Sequence, residues 1–135
     1  MNYYNDDLVN RILKEAKTIA VVGLSPKTER TSNHVSRYLQ GAGYKIIPVN
    51  PGADSILGEK CRSNLAEVGE NADLVLVFRR SEFIPQVVDE AVIIKPKYIW
   101  MQEGIFHEEA AQKAINLGID VIMDRCMLKE HRRRK

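Results

Sequence analysis

The residues of this sequence that could do chemistry are concentrated in a polar run at residues 23–32, which reads GLSPKTERTS. The run contains four hydroxyl side chains and two cations, Lys27 and Arg30, and it directly precedes a segment with helical periodicity. Free backbone N–H groups at the start of a helix, with the helix dipole behind them, favour an anion. The run therefore predicts a phosphate-binding loop. The alternative is that a hydroxyl group of the run only caps the helix and that Lys27 is solvated.

Groups suited to acid–base or thiol chemistry are few. His34, Glu103 and Asp124 are candidates for a general acid or base, although acids among arginines are more often ion-pair partners. Cys126 follows Arg125, and a neighbouring cation can lower the pKa of a thiol. The alternative for this cysteine is a small half-buried structural residue. No nucleophile elbow is visible, and the two cysteines have no metal-ligand spacing with the three histidines, so the sequence predicts no metal site.

Two common phosphate-binding loops are excluded by the same run. A dinucleotide-binding loop requires G-x-G-x-x-G and an acidic residue at the end of the second strand. Here the loop has one glycine, and the second apolar segment ends in Asn50 and Pro51. A Walker A loop requires G-x-x-x-x-G-K followed by Ser or Thr, which does not occur in this sequence.

The elements that must position these residues alternate between strands and helices. Apolar runs without alternation predict strands in a parallel sheet that is covered on both faces. We expect five strands, at residues 18–23, 44–50, 72–78, 97–102 and 119–124. Helices are expected from Asn5 or Asp6 to Ala16, at residues 31–40, in a short segment capped by Ser63, from Ser81, and at residues 107–117. This order predicts an α/β fold, a doubly wound parallel five-stranded sheet with helices on both faces.

Right-handed crossovers place the carboxyl ends of all the strands at one edge of such a sheet. That edge collects five cations and three acids. The cations are Lys27, Arg30, Arg79, Arg80 and Arg125, and the acids are Glu29, Glu103 and Asp124. Ligands of these folds bind at this edge, where the strand order reverses. The excess of positive charge favours an anionic ligand.

Length and composition are those of one globular domain at residues 1–135, with a basic C-terminal tail at residues 127–135. The net charge of +2 does not by itself indicate a polyanion partner, and nucleic-acid binding through the tail is a disfavoured alternative. No apolar run is long enough to span a membrane, and the polar, acidic start is unlike a signal peptide. With two cysteines, these features predict a cytoplasmic protein.

Six motifs, in order, resemble the small CoA-binding proteins, which are single Rossmann-like domains of about this length. They also resemble the N-terminal CoA-binding domain of the succinyl-CoA synthetase α subunit and of ADP-forming acyl-CoA synthetases. The motifs are VVGLSPKTERTSNHVSRYL, GYKIIPVNP, ILGEKCRSNL, DLVLVFRR, IWMQEGI and VIMDRC, and they extend over residues 19–126. The phosphohistidine and ATP-grasp parts of the synthetases have no counterpart in this sequence.

The resemblance implies that the ligand is coenzyme A or an acyl-CoA and that the chain binds it without catalysis. It implies phosphate contacts at Gly23, Ser25, Lys27, Arg30 and Ser32. It places Asn50 and Pro51 beside the adenosine, and Phe78 and Arg79 along the cofactor. Near the pantetheine arm or its thiol it places Gln102, Gly104, Met123, Arg125 and Cys126.

Three other functions stay open at this stage. Cys126 could form a mixed disulfide with CoA, which would make the protein a thiol-redox protein. The protein could be an enzyme acting on another nucleotide or sugar phosphate, with His34, Glu103 or Asp124 as acid or base. The third is nucleic-acid binding through the basic tail. Within the leading function, the chain could present CoA to a protein partner that the sequence does not identify.

Overall fold

Five parallel strands form the central sheet of the computed structural model, which describes residues 5–135. In chain order the elements are α1 (Asp6–Glu15), β1 (Thr18–Val22), α2 (Thr31–Gly41), β2 (Lys45–Val49), β3 (Ser55–Ile56), β4 (Glu59–Lys60), α3 (Leu65–Val68), β5 (Leu74–Val77), α4 (Ile84–Ile94), β6 (Tyr98–Met101), α5 (Glu108–Asn116), β7 (Asp120–Ile122) and α6 (Met127–Arg133). Short 3₁₀ turns precede β5 (Gly69–Asn71) and α4 (Ser81–Phe83).

The strand order of the large sheet is β2-β1-β5-β6-β7, and every pairing in it is parallel. The chain adds β2 on one side of β1 and then returns to add β5 on the other side. The strand order therefore reverses between β1 and β5, which is where open α/β sheets bind ligands. The predicted α/β doubly wound, Rossmann-like sheet is confirmed.

Both faces of the sheet are covered, which explains why the strands read as continuous apolar runs. Ala20 and Val22 pack with α3, α4 and α5, while Ile19 and Val21 pack with α1, α2 and α6. Trp100 on β6 is fully buried, and its indole N–H donates to the carbonyl oxygen of Arg125 at 2.8 Å. This bond ties the carboxyl end of the sheet to the start of α6.

Capping residues in the sequence predicted some helix starts correctly and others not. Asn5 caps α1 as predicted, because its side-chain oxygen accepts from the N–H groups of Asp7 and Leu8. The prediction of Ser63 as the cap of α3 is wrong: Asn64 Oδ1 accepts from the N–H of Glu67 and is the cap. The hairpin of β3 and β4 was also missed, since two-residue strands are too short to show periodicity.

The basic tail is a packed helix, which was one of the two expectations for it. Met127 and Leu128 are buried, and Glu130 accepts hydrogen bonds from Arg125, Arg133 and Arg134 at 3.3, 2.8 and 2.9 Å. Two arginines of the tail, Arg133 and Arg134, are therefore engaged inside the chain, which weakens the nucleic-acid alternative. No helix between residues 5 and 135 is long and apolar enough to cross a membrane.

Candidate functional site

The loop after β1 passes directly over the end of β5, where the strand order reverses. The N–H of Gly23 donates to the carbonyl oxygen of Val49 at 3.3 Å. Gly23 has φ +86°, and a Cβ added there would lie 2.8 Å from the carbonyl oxygen of Phe78 and 3.3 Å from Cδ of Arg79. Only glycine allows both this backbone conformation and this close approach. The loop is therefore held against Phe78 and Arg79.

Hydrogen bonds within the loop fix its shape. The N–H of Ser25 donates to Oγ of Ser32 at 3.0 Å, and Oγ of Ser25 accepts from the N–H of Lys27 at 3.1 Å. Nδ2 of Asn33 donates to the carbonyl oxygen of Ser25 at 2.9 Å. Ser32 and Asn33 are buried, at 7% and 2% exposure. Ser32 thus shapes the loop from beneath, and its hydroxyl group already accepts a hydrogen bond.

The N-terminus of α2, the positive end of its helix dipole, has no side-chain cap and no acidic residue in its first turn. Arg30 occupies the N-cap position and makes no capping hydrogen bond, and the first turn of α2 contains no acidic residue. The amides of that turn and the helix dipole therefore favour an anion at this point. Lys27 and Arg30 are exposed on the same loop and add positive charge.

A cavity of about 430 Å³, the β2-side cavity, lies on one side of this loop. Its walls come from the ends of β1 and β2, from the segment before α3 and from α4. The lining residues that carry polar or aromatic groups are Ser25, Asn50, Ser63, Asn64, Arg79, Phe83, Gln86 and Glu90. Nδ2 of Asn50 donates to the carbonyl oxygen of Leu24 at 2.9 Å, so Asn50 fixes the loop while it borders the cavity.

A second cavity of about 690 Å³, the α6-side cavity, lies on the other side of the loop. It is bounded by α2, by the ends of β5 and β6, and by α6. The lining residues are Thr31, His34, Val35, Phe78, Arg79, Arg80, Ser81, Gln102, Glu103, Gly104, Ile105, Cys126, Leu128, Lys129 and Arg132. Arg79 borders both cavities, and its guanidinium lies 4.6 Å from the ring centroid of Phe83.

The structure brings nine of the fourteen predicted site residues to these two cavities. Those nine are Gly23, Ser25, Asn50, Pro51, Phe78, Arg79, Gln102, Gly104 and Cys126. The other five, Lys27, Arg30, Ser32, Met123 and Arg125, line neither cavity. Lys27 and Arg30 lie beside the start of α2, whereas Met123 is fully buried and its sulfur accepts from the N–H of His107 at 3.3 Å.

Arg125 is turned toward α1 and α6. Its guanidinium donates to Asp6 at 3.0 Å and to Glu130 at 3.3 Å, and the hydrogen bond from Arg125 is the main reason that the pKa of Asp6 is lowered. Gln102 is also a support, because its buried Oε1 accepts from the N–H of Met127 at 2.9 Å. Both residues hold the start of α6 in place beside the cavity.

The acid–base candidates do not converge on one point. Glu103 is paired with Lys129 at 2.9 Å, and this hydrogen bond raises the pKa of Lys129. Asp124 accepts from the N–H of Gly104 at 2.7 Å, and the ring of His34 lies 3.4 Å from the guanidinium of Arg37. Within residues 5–135, no group of three or more His, Cys, Asp or Glu side chains could hold a metal ion.

The two thiols differ in position. Cys126 is 7% exposed and lines the α6-side cavity, as expected from the sequence. Cys61 lies outside both cavities, and burial raises the pKa of its thiol. Both cysteines are free.

Sequence reasoning missed residues on α3, α4 and α6. Phe83, in the 3₁₀ turn before α4, was overlooked, although an aromatic residue three positions after Arg80 is visible in the sequence. Lys129 and Arg132 were treated as solvated tail residues, although their spacing places them on one face of a helix. Asn64 and Gln86 carried no signal, because only the packing of their helices against the sheet brings them to the edge.

Comparison with known proteins agrees with this geometry. The model of the CoA binding domain family matches residues 17–132. The uncharacterized protein YneT of Bacillus subtilis is 46% identical over 123 residues, which are 91% of each chain. A hypothetical protein from Pyrococcus horikoshii has the same fold, with a TM-score of 0.90 at 35% identity over 96% of this chain and 91% of that one.

A larger enzyme contains a similar segment. The ADP-forming acetate–CoA ligase I of Archaeoglobus fulgidus is 25% identical over 121 residues, which are 82% of this chain and 18% of the ligase. The family match covers most of the chain, including the loop after β1 and both cavities. The chain belongs to the CoA binding domain family.

Proposed function

We propose that this chain binds coenzyme A, or an acyl-CoA, along the carboxyl edge of its sheet and catalyses no reaction of its own. The observation that carries the proposal is the pair of cavities that meet at Arg79, beside the uncompensated start of α2. Family membership supports the same ligand. The separate partners of Glu103 and Asp124 support the absence of chemistry.

The chemistry of CoA matches the two cavities and the loop between them. CoA joins an adenosine with three phosphate groups to a neutral pantetheine arm that ends in a thiol. We assign the phosphates to the loop at Gly23 and Ser25, to the cations Lys27 and Arg30, and to Arg79. We assign the adenosine to the β2-side cavity, at Asn50 and Pro51, and the pantetheine arm to the α6-side cavity, at Phe78, Gln102, Gly104 and Cys126. Ser32, Met123 and Arg125 support these residues from outside the cavities.

NAD fits this edge less well. Its ribose hydroxyl groups require an acidic residue at the end of the second strand. That position holds Asn50, whose side-chain oxygen accepts from the N–H of Gly52 at 2.7 Å and whose Nδ2 is also bonded. The 3′-phosphate of CoA, in contrast, is disfavoured by an acid at that position, and none is present there.

Thermal unfolding in the presence of single ligands tests the proposal. A ligand at 100 times its dissociation constant adds about 2.7 kcal/mol to the free energy of unfolding. For a chain of this size the midpoint should rise by several degrees with CoA. Dephospho-CoA should give a smaller shift and NAD none. A shift with NAD or ATP but none with CoA would contradict the proposal.

A second function is favoured by the position of Cys126 in the α6-side cavity. In this alternative, the Cys126 thiolate attacks a sulfur of CoA disulfide and forms a protein–CoA disulfide, and the other CoA leaves as a thiolate. Intact mass after incubation with CoA disulfide should then increase by one CoA less two hydrogens. Cys126→Ser should abolish this adduct, while Cys61→Ser should retain it. The absence of an adduct on the wild-type protein would end this alternative.

A further inference from the structure

The α6-side cavity carries more positive charge than a CoA thiol requires. Four cationic side chains line it, Arg79, Arg80, Lys129 and Arg132, against one carboxylate, that of Glu103. The pantetheine arm and the thiol of CoA are uncharged at neutral pH. If CoA binds as proposed above, the phosphates account for Arg79, which also borders the other cavity, and the remaining positive charge has no counterpart in CoA.

Two of the four cations, Lys129 and Arg132, lie on α6, which forms one wall of the cavity. Lys129 and Arg132 are three residues apart on α6 and therefore lie on the same side of that helix. Nζ of Lys129 lies 2.9 and 3.2 Å from the two carboxylate oxygens of Glu103. The guanidinium of Arg132 makes no hydrogen bond or ion pair with any residue of the described range 5–135, and the residue is exposed. The wall formed by α6 thus contains two cations. Arg132 has no acidic partner, and Lys129 is paired with the exposed carboxylate of Glu103.

The structural origin of this wall is the buried part of α6. Met127 and Leu128 pack into the core, and Glu130 is held by three arginines, so the helix has a fixed rotation about its axis. That rotation turns Glu130 inward and leaves Lys129 and Arg132 on the cavity side. The packing of α6 against the core therefore fixes the position of Lys129 and Arg132 in the cavity wall.

We propose that the preferred ligand is a CoA thioester whose acyl group ends in a carboxylate, and that Arg132 and Lys129 bind this carboxylate. This inference rests on the proposed function, because it assigns the acyl end of the same ligand. A guanidinium and an ammonium group together match a carboxylate well, and Arg132 can donate two parallel hydrogen bonds to it. A neutral acyl group would leave Arg132 without a partner.

Matched pairs of thioesters isolate the contribution of the carboxylate. Binding of malonyl-, succinyl- and glutaryl-CoA is compared by titration calorimetry with binding of propionyl-, butyryl- and pentanoyl-CoA. The CoA moiety is common to both members of a pair, so the ratio of their dissociation constants cancels the phosphate contacts. Since the cations are exposed, at least one pair should show a two- to fivefold preference for the carboxylate, the equivalent of about 0.4–1 kcal/mol, which lies within the range of exposed ion pairs.

Three variants locate the effect. Arg132→Gln should bring the ratio close to one. Lys135→Gln removes one positive charge from a residue after α6 that lies outside the cavity wall, and should leave the ratio unchanged. Glu103→Gln frees Lys129 and should increase the preference.

The outcomes separate this inference from the proposed function. Equal affinity within all three pairs, or a preference that survives in Arg132→Gln, would overturn the inference while CoA binding stands. Equal affinity for the two thioesters of each pair would instead favour an acidic protein surface as the partner of this basic wall. If none of the six thioesters binds, the proposed function fails, and this inference fails with it.

Discussion

Replacing Gly23 with alanine tests whether the close crossing of the β1 loop over β5 builds the site. The perturbation has two parts. An alanine at φ +86° costs about 1–2 kcal/mol from backbone strain. The new Cβ would also lie 2.8 Å from the carbonyl oxygen of Phe78, which is main chain and cannot rotate away. Overpacking of this kind costs about 1–3 kcal/mol more.

Gly118 provides a matched control. Its φ is +88°, almost the same as that of Gly23, but a Cβ added there meets no atom within 4 Å. Gly118→Ala should therefore lose only the backbone part, about 1–2 kcal/mol. Gly23→Ala should lose about 2–5 kcal/mol in total, and the difference between the two variants measures the contact with Phe78.

Urea unfolding gives the two free energies, and titration with CoA gives the effect on the site. In Gly23→Ala the new methyl group must push the loop away from Phe78 and Arg79. This variant should therefore also weaken CoA binding by about tenfold, the equivalent of about 1.4 kcal/mol. Gly118→Ala should bind CoA normally, since it lies at the opposite edge of the sheet. Equal destabilisation by the two variants, or unchanged CoA affinity in Gly23→Ala, would refute the reasoning.

Three further variants test other contacts. Arg79→Gln should weaken CoA binding at least tenfold, since a charge-assisted hydrogen bond is worth about 1.5–3 kcal/mol. Arg11→Gln, at the amino edge, is the control, and equal losses of affinity in calorimetry would contradict the assignment of Arg79 to the phosphates. Asp6→Asn should destabilise the protein at about pH 6 but less at about pH 3. The pKa of Asp6 is lowered in the folded protein, so the ionised Asp6 carboxylate stabilises the fold above the ordinary aspartate pKa range. This contribution to the free energy of unfolding is lost as pH falls through the folded pKa. A pH-independent difference in urea unfolding would contradict this. Glu130→Gln should cost about 1.5–3 kcal/mol, because a charged hydrogen-bond partner of Arg125 is lost while Asp6 remains. An unchanged thermal midpoint would contradict that role of Glu130.

The central sheet could be predicted from the sequence because each strand is a continuous apolar run followed by a helix with its own cap. β1 and β5 are buried along almost their whole length, and the alternation with helices permits only a few topologies. Asn5 and Pro85 mark the starts of α1 and α4 through local chemistry alone. The carboxyl edge follows from these elements, because right-handed crossovers place the ends of all the strands there, whereas the strand order was seen only in the structure.

The finer structure of the site could not be predicted in the same way. Ser32 looks like a phosphate ligand in the sequence, whereas in the structure it lines neither cavity and its hydroxyl oxygen accepts from the N–H of Ser25. Arg125 was expected at the ligand edge, yet its partner Asp6 is 119 residues away in the chain. Phe83 and Lys129 reach the cavities only because α4 and α6 pack with one particular rotation. The spacing of Lys129 and Arg132 shows that they share a helix face. The rotation that turns this face toward the cavity depends on long-range contacts, which leave no motif in the sequence.

The most direct test of the account is to follow backbone amide resonances of ¹⁵N-labelled protein during titration with CoA. Saturable binding of one CoA per chain should shift the amides of residues 23–31 and those of residues 102–105 together, because the ligand contacts both cavities. The amides of the turn between α5 and β7 should not move. Shifts confined to a region away from this edge, or no shift at saturating CoA, would contradict the account.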